Sequence, residues 1–189
     1  LTAGNDGTIR LWDIESGDEI EILFAGEAPI RHLAISPDGH LLAASIDDRV
    51  MVWSLEDMTL RYELAGHTDL VNSMKFSPNS TVLATPSQDS TVRLWNMQTG
   101  EEIRRFEGHV AGVWDVEFSP DGLRIVSASL DQTACIWDVG TGDEVGRLIG
   151  HRAGIQNVAY SPDGRTIATS GPSELGLFLW DAESRQLIR

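Results

Sequence analysis

Cysteine is almost missing from this chain. Cys135 stands alone among 189 residues, so no internal disulfide can form and a disulfide-built secreted scaffold is excluded. A lone thiol is read as a sign of a reducing, intracellular setting. Basic residues are also few, with 14 Lys and Arg against 29 Asp and Glu for a net charge of −15. Beyond Arg104 and Arg105 they form no cluster. A field of that sign opposes phosphate backbones and anionic membranes, which disfavours a nucleic-acid partner. No apolar run approaches the roughly 18–20 residues needed to cross a bilayer. The opening "LTAGNDGTIRLWD" has neither the basic n-region nor the apolar h-region of a signal peptide. Sequence motifs for chemistry are absent too: no metal-spaced His/Cys cluster, no His-Glu-x-x-His, no Gly-x-Ser-x-Gly and no phosphate-binding loop. No metal, cofactor or catalytic residue is expected.

What the chain has in plenty is repetition. "GHTDLVNSMKFSPNS" at 66–80 returns as "GHVAGVWDVEFSPDG" at 108–122 and "GHRAGIQNVAYSPDG" at 150–164. Ser-Pro pairs begin at Ser36, Ser77, Ser119 and Ser161, spaced 41, 42 and 42 residues apart. Trp12, Trp53, Trp95, Trp137 and Trp180 recur at 41, 42, 42 and 43. Several landmarks holding one period mark a repeat architecture. Within each period, four short apolar runs are separated by turn residues, which is a strand pattern. From Gly112, "GVWDVEF" ends in "SPDG", "LRIVSAS" ends in "LDQ", "TACIWDV" ends in "GTGD", and "EVGRLIG" follows. Runs and connections of these lengths suit an antiparallel meander.

The first run of each unit slips in phase. Val113, Val116 and Phe118 are apolar with a gap of three before a gap of two, and Val71/Met74/Phe76, Ile155/Val158/Tyr160 and Ile30/Leu33/Ile35 do the same. An extra residue at one place in four units predicts a β-bulge, a device that re-aims a side chain.

Gly-His, Ser-Pro-Asp-Gly, an Asp in a tight turn and a closing Trp-Asp together resemble the tryptophan–aspartate (WD) repeat family of β-propellers. "WD" stands at Trp12-Asp13, Trp137-Asp138 and Trp180-Asp181, with Ser54 and Asn96 in place of the Asp elsewhere. The resemblance spans essentially the whole chain and implies an all-β fold of four-stranded blades stacked around a channel. About four and a half blades are expected, as units 1–26 (partial), 27–67, 68–109, 110–151 and 152–189. They would form an open arc, or part of a larger, seven-bladed ring in a longer protein. An open arc exposes blade edges, through which the chain could self-associate.

The resemblance also implies, in each blade, a hydrogen-bonded chain of His, Ser or Thr, Asp and Trp. The matching sets are His67, Ser87, Asp89, Trp95 and His109, Ser129, Asp131, Trp137. A His, a Ser and an Asp together invite a catalytic reading, but a constellation repeated in every blade with a Trp at its end is structural. In the unit from 27, Glu27 stands where His is expected, leaving Ser45, Asp47 and Trp53. In the last unit Gly171 replaces the Ser, and either Ser173 or Glu174 the Asp. His32 and His40 lie outside the landmarks and are given no role.

For binding, the resemblance places two sets on the ring's narrower face. The bulge residues are Arg31, Asn72, Trp114 and Gln156. The residues before the tight-turn Asp are Asn5, Ile46, Gln88 and Leu130. An indole, a guanidinium and amides at a channel mouth are types enriched at protein interfaces. The expected function is a non-catalytic scaffold binding a protein or peptide on this face. The alternative is a sensory or regulatory propeller domain of a larger enzyme, such as a kinase or protease.

Overall fold

The computed structural model describes residues 1–173 and 176–189. Among the described residues there is no helix, so none is long and apolar enough to cross a membrane. The chain forms five antiparallel sheets in sequence order. The first holds β1 (Thr2–Ala3), β2 (Thr8–Trp12) and β3 (Glu19–Ala25). The second holds β4 (Ile30–Ile35), β5 (Leu41–Ile46), β6 (Arg49–Ser54) and β7 (Leu60–Ala65). The third has β8 (Lys75–Phe76), β9 (Val82–Pro86), β10 (Thr91–Asn96) and β11 (Glu102–Glu107). The fourth has β12 (Val113–Phe118), β13 (Arg124–Ser129), β14 (Thr133–Asp138) and β15 (Glu144–Ile149). The last has β16 (Asn157–Tyr160), β17 (Thr166–Ser170) and β18 (Phe178–Asp181), with Leu187 bridged to Trp180 beyond them. Strands pair with their sequence neighbours throughout, so every sheet is a meander.

The sheets stack by their inner strands, β1 against β4, β4 against β8, β8 against β12 and β12 against β16, and the arc does not close. The sequence explains the stacking. Strands such as β5 and β13 are buried on both faces, so alternate residues belong to different interiors. Leu42 and Ala44 join Ile9 of the first sheet, while Leu41 and Ala43 join Val71, Met74 and Leu83 of the third. The same division places Ile125 and Trp137 against the third sheet, and Val126 and Ile136 against the last. Four apolar clusters fill the four junctions between five sheets.

Turn chemistry sets the ends of the strands. In each Ser-Pro-Asp-Gly-type turn the Ser hydroxyl donates to the side chain two residues on, as from Ser119 to Asp121 at 2.6 Å. The residue after that has positive φ: Gly39, Ser80, Gly122 and Gly164. The tight turn between second and third strands is an Asp-x-Thr unit in three sheets. Asp89 Oδ1 accepts from the backbone N–H and hydroxyl of Thr91, and Asp131 does the same with Thr133. In the second sheet the turn is shorter: Ile46 pairs with Arg49 and leaves two connecting residues, with Asp47 at a φ of 52°.

Candidate functional site

Two kinds of polar cluster emerge, one inside the blades and one on the channel wall. Inside the third sheet, His67 Nδ1 lies 2.8 Å from Asp89 Oδ2. Its Nε2 lies 2.8 Å from the Thr85 hydroxyl, which also accepts from Trp95 Nε1 at 2.9 Å. The fourth sheet repeats this with His109, Asp131, Ser127 and Trp137 at 2.7–2.8 Å. The hydroxyl at the centre is therefore Thr85 or Ser127, not Ser87 or Ser129 as the sequence led us to expect. Each stands two residues earlier, facing the indole across the sheet.

Ser87 and Ser129 do something else. Their hydroxyls donate to the carbonyls of Asp69 and Ala111, and their own carbonyls accept from Val113 and Ile155 of the following sheet. They tie one blade to the next. In the last sheet His151 Nε2 and Trp180 Nε1 both reach the Thr169 hydroxyl. Glu174, one candidate for the missing Asp, lies outside the described residues. The second sheet lacks the cluster altogether, because Ala44 stands at the hydroxyl position as Glu27 stands at the His position. Ser45, expected to remain in that network, accepts instead from the His32 backbone N–H.

Electrostatics fit a structural role for these clusters. Burial raises the Asp89 and Asp131 carboxyls, but hydrogen bonds from the imidazole and from Thr91 or Thr133 outweigh it and leave both well below the usual carboxylate range. Burial, reinforced by Glu144, pushes the Cys135 thiol up to about 12, so it is no nucleophile. Among the described residues no group of three or more His, Cys, Asp or Glu side chains could hold a metal ion.

The channel wall is built by the bulges. Pairing skips one residue between Ile30 and His32, and again between Val113 and Asp115, which leaves Arg31 and Trp114 as the extra residues. Asn72 follows Val71, which bridges to Ser87 ahead of β8, and Gln156 immediately precedes β16. Trp114, Asn72 and Gln156 share one cavity of about 650 Å³. Trp114 and Asn72 also meet Arg31 and Asn5 in an adjoining cavity of about 450 Å³. The indole is half-buried and its Nε1–H is buried without an acceptor among the described residues.

The second set of residues divides. Gln88 donates to Asn72 Oδ1 at 3.5 Å and lies over Gly112. Leu130 lies over Gly154 and stays 42% exposed. Ile46 goes elsewhere. Because the turn after it is short, it remains a paired strand residue and packs with Phe24 between the first two sheets, away from the channel.

Two wall residues escaped the sequence reading. His32 lines both cavities, and its burial lowers its pKa against the opposing pull of Asp115. Asp115 accepts from Ser73 of the preceding sheet at 2.9 Å and from the Val158 N–H of the following one at 3.1 Å. Burial raises its carboxyl despite these bonds. Both residues directly follow a bulge, which is the signal that could have found them.

Comparison with known proteins agrees with this architecture. The family model "WD40: WD domain, G-beta repeat" matches residues 18–54, 58–96, 100–138 and 142–181. Each matched segment carries the outer strand of one sheet and the first three of the next. The chain is 37% identical over 87 residues to a WD repeat and SOCS box-containing protein 1 of Takifugu rubripes, covering 44% of the chain and 20% of the relative. It is 36% identical over 93 residues to a Protein LST8 homolog of Drosophila pseudoobscura pseudoobscura, covering 44% and 30%. Over 88 residues it is 32% identical to Autophagy-related protein 16 of Arabidopsis thaliana, covering 44% and 17%. The matches thus span less than a third of the length of each of these relatives.

Proposed function

This chain belongs to the WD40 family, and from that premise we propose that it is a non-catalytic scaffold that binds a peptide or protein partner at the channel wall. Repeats of the family generally mediate protein–protein interaction and generally lack catalytic activity. One observation carries the reading for these residues: Trp114, a bulge residue facing the channel, keeps a buried indole N–H with no acceptor among the described residues. A buried donor left unpaired costs about 1–3 kcal/mol, which a partner recovers when the half-buried ring turns its N–H to the partner's acceptor. Asn72, Gln156 and Arg31, which line the cavities with it, supply the surrounding contacts, joined by Gln88 through its bond to Asn72 and by the exposed Leu130. Aromatic residues in partly desolvated pockets dominate binding energy at such surfaces.

The test is the affinity of a partner captured by the whole chain. Trp114→Ala is expected to weaken it by about 2 kcal/mol or more, roughly 30-fold, with the melting temperature measured alongside. Ile149→Ala, at an exposed end of β15, the strand at the opposite edge of its sheet from β12, is the control and should leave affinity unchanged. An unmoved affinity in Trp114→Ala refutes the reading.

A further inference from the structure

The smaller cavity on the channel wall has a charge character opposite to that of the molecule. Its polar lining comes from Asn5, Arg31, His32, Asn72 and Trp114, and no Asp or Glu contributes to it. That is unusual in a chain carrying 29 acidic residues and a net charge of −15. Arg31 is exposed and makes no hydrogen bond or ion pair among the described residues. Other arginines of the strands are engaged by carboxylates: Arg10 with Glu19, Arg93 with Glu102, Arg49 with Glu63. Trp114 Nε1 is a donor only, and it is buried and unpaired. Asn72 donates one amide hydrogen to the Val113 carbonyl at 2.8 Å and keeps a second. The one acid among the residues lining the adjoining cavity, Asp115, is already held by Ser73 and Val158.

The residues lining this space thus carry a free guanidinium, an orphaned indole N–H and a spare amide hydrogen, with no carboxylate among them. We propose that this cavity holds the anionic side chain of a peptide partner, a carboxylate or a phosphate group. Arg31 supplies the charge and a forked pair of donors. Trp114, once its half-buried ring turns the N–H toward the ligand, supplies a donor in a desolvated position, where a charge-assisted hydrogen bond is stronger than in water. Because the rest of the molecule is strongly acidic, the ligand gains nothing from long-range steering. Selectivity comes from the pocket itself. The inference rests on the proposed peptide-binding role and specifies the chemistry of its ligand.

The experiment follows the Trp114 Nε1–H resonance of the intact 189-residue chain by proton–nitrogen correlation spectroscopy. The resonance is assigned by its loss in Trp114→Phe. Three capped tripeptides, Gly-Glu-Gly, Gly-phosphoserine-Gly and Gly-Gln-Gly, are titrated at low and at physiological salt. The Glu or the phosphoserine peptide should shift the resonance saturably, and the Gln peptide should not. Arg31→Gln, at an exposed side chain that the fold does not use, should weaken binding by about tenfold or more at both salt concentrations. Preference for one anion names the source as carboxylate or phosphate. An equal response to Gln, no saturable response to either anion, or indifference to Arg31→Gln overturns the proposal. Loss of a captured partner in Trp114→Ala without any anion response would sink this inference and keep the scaffold reading. An anion response with partner affinity unmoved in Trp114→Ala would do the reverse.

Discussion

A single hydroxyl decides whether the interior of a blade is satisfied. Ser127 accepts from the Trp137 indole and meets His109 at the same oxygen, so Ser127→Ala strands two buried polar groups at once. Urea unfolding should show a loss of about 1–3 kcal/mol. The sequence marked the imidazole, carboxylate and indole of this cluster but chose Ser129 over Ser127. The two are two residues apart and point to the same face of one strand, so alternation cannot separate them. Only the register of β13 on β14, which sets Ile125 opposite Trp137, places Ser127 within reach. The same cluster makes the protein acid-sensitive. The Asp89 and Asp131 carboxyls lie below their unfolded value, so their contribution is present above a pH of about 4 and is lost as pH falls through the lower folded value. Melting followed from pH 7 to pH 2 should show this decline, and it should be shallower in the double variant Asp89→Asn, Asp131→Asn.

The turns and bulges show where one element's length redirects its neighbours. The three-then-two spacing of apolar residues was enough to locate the bulges at Arg31 and Trp114, because Val113, Val116 and Phe118 all belong to one interior, and only an extra residue puts positions three apart on one face of a strand. Ile46 was misplaced for a related reason. The turn at Asp47 is shorter than its sisters, and a count of residues before the Asp cannot see that Ile46 still pairs with Arg49. Gly171 is a departure from the repeat that the structure explains. A Cβ there would collide with the Gly154 carbonyl oxygen, a backbone atom with little room to give. Restoring the repeat residue with Gly171→Ser should therefore destabilise the protein, by about 1–3 kcal/mol, and calorimetry would read it as a lower Tm. A rise in Tm would show that the close approach is not obligatory.

On the scale of the whole molecule, the interiors lie between sheets rather than within them. Trp95 and Trp137 are only 3% and 2% exposed because each faces the preceding sheet, whereas Trp12, on the corresponding face of the first sheet, is 37% exposed with no sheet against it. Stability should accordingly be lowest at the arc's ends. Amide hydrogen exchange is expected to be slowest in β9, β10, β13 and β14, and fastest in β1–β3 and β16–β18. Uniform protection across all five sheets would contradict this. The period and the Trp positions foretold the stack, while the size and charge of the channel cavities depend on which bulge residue meets which across blades, and no single repeat encodes that. Interiors shared in this way also bear on how such a chain changes over generations. Copying one segment of about 42 residues adds one sheet and one junction, each made from faces that already fit. A gene of this kind lengthens or shortens by whole units more readily than it absorbs a change inside one.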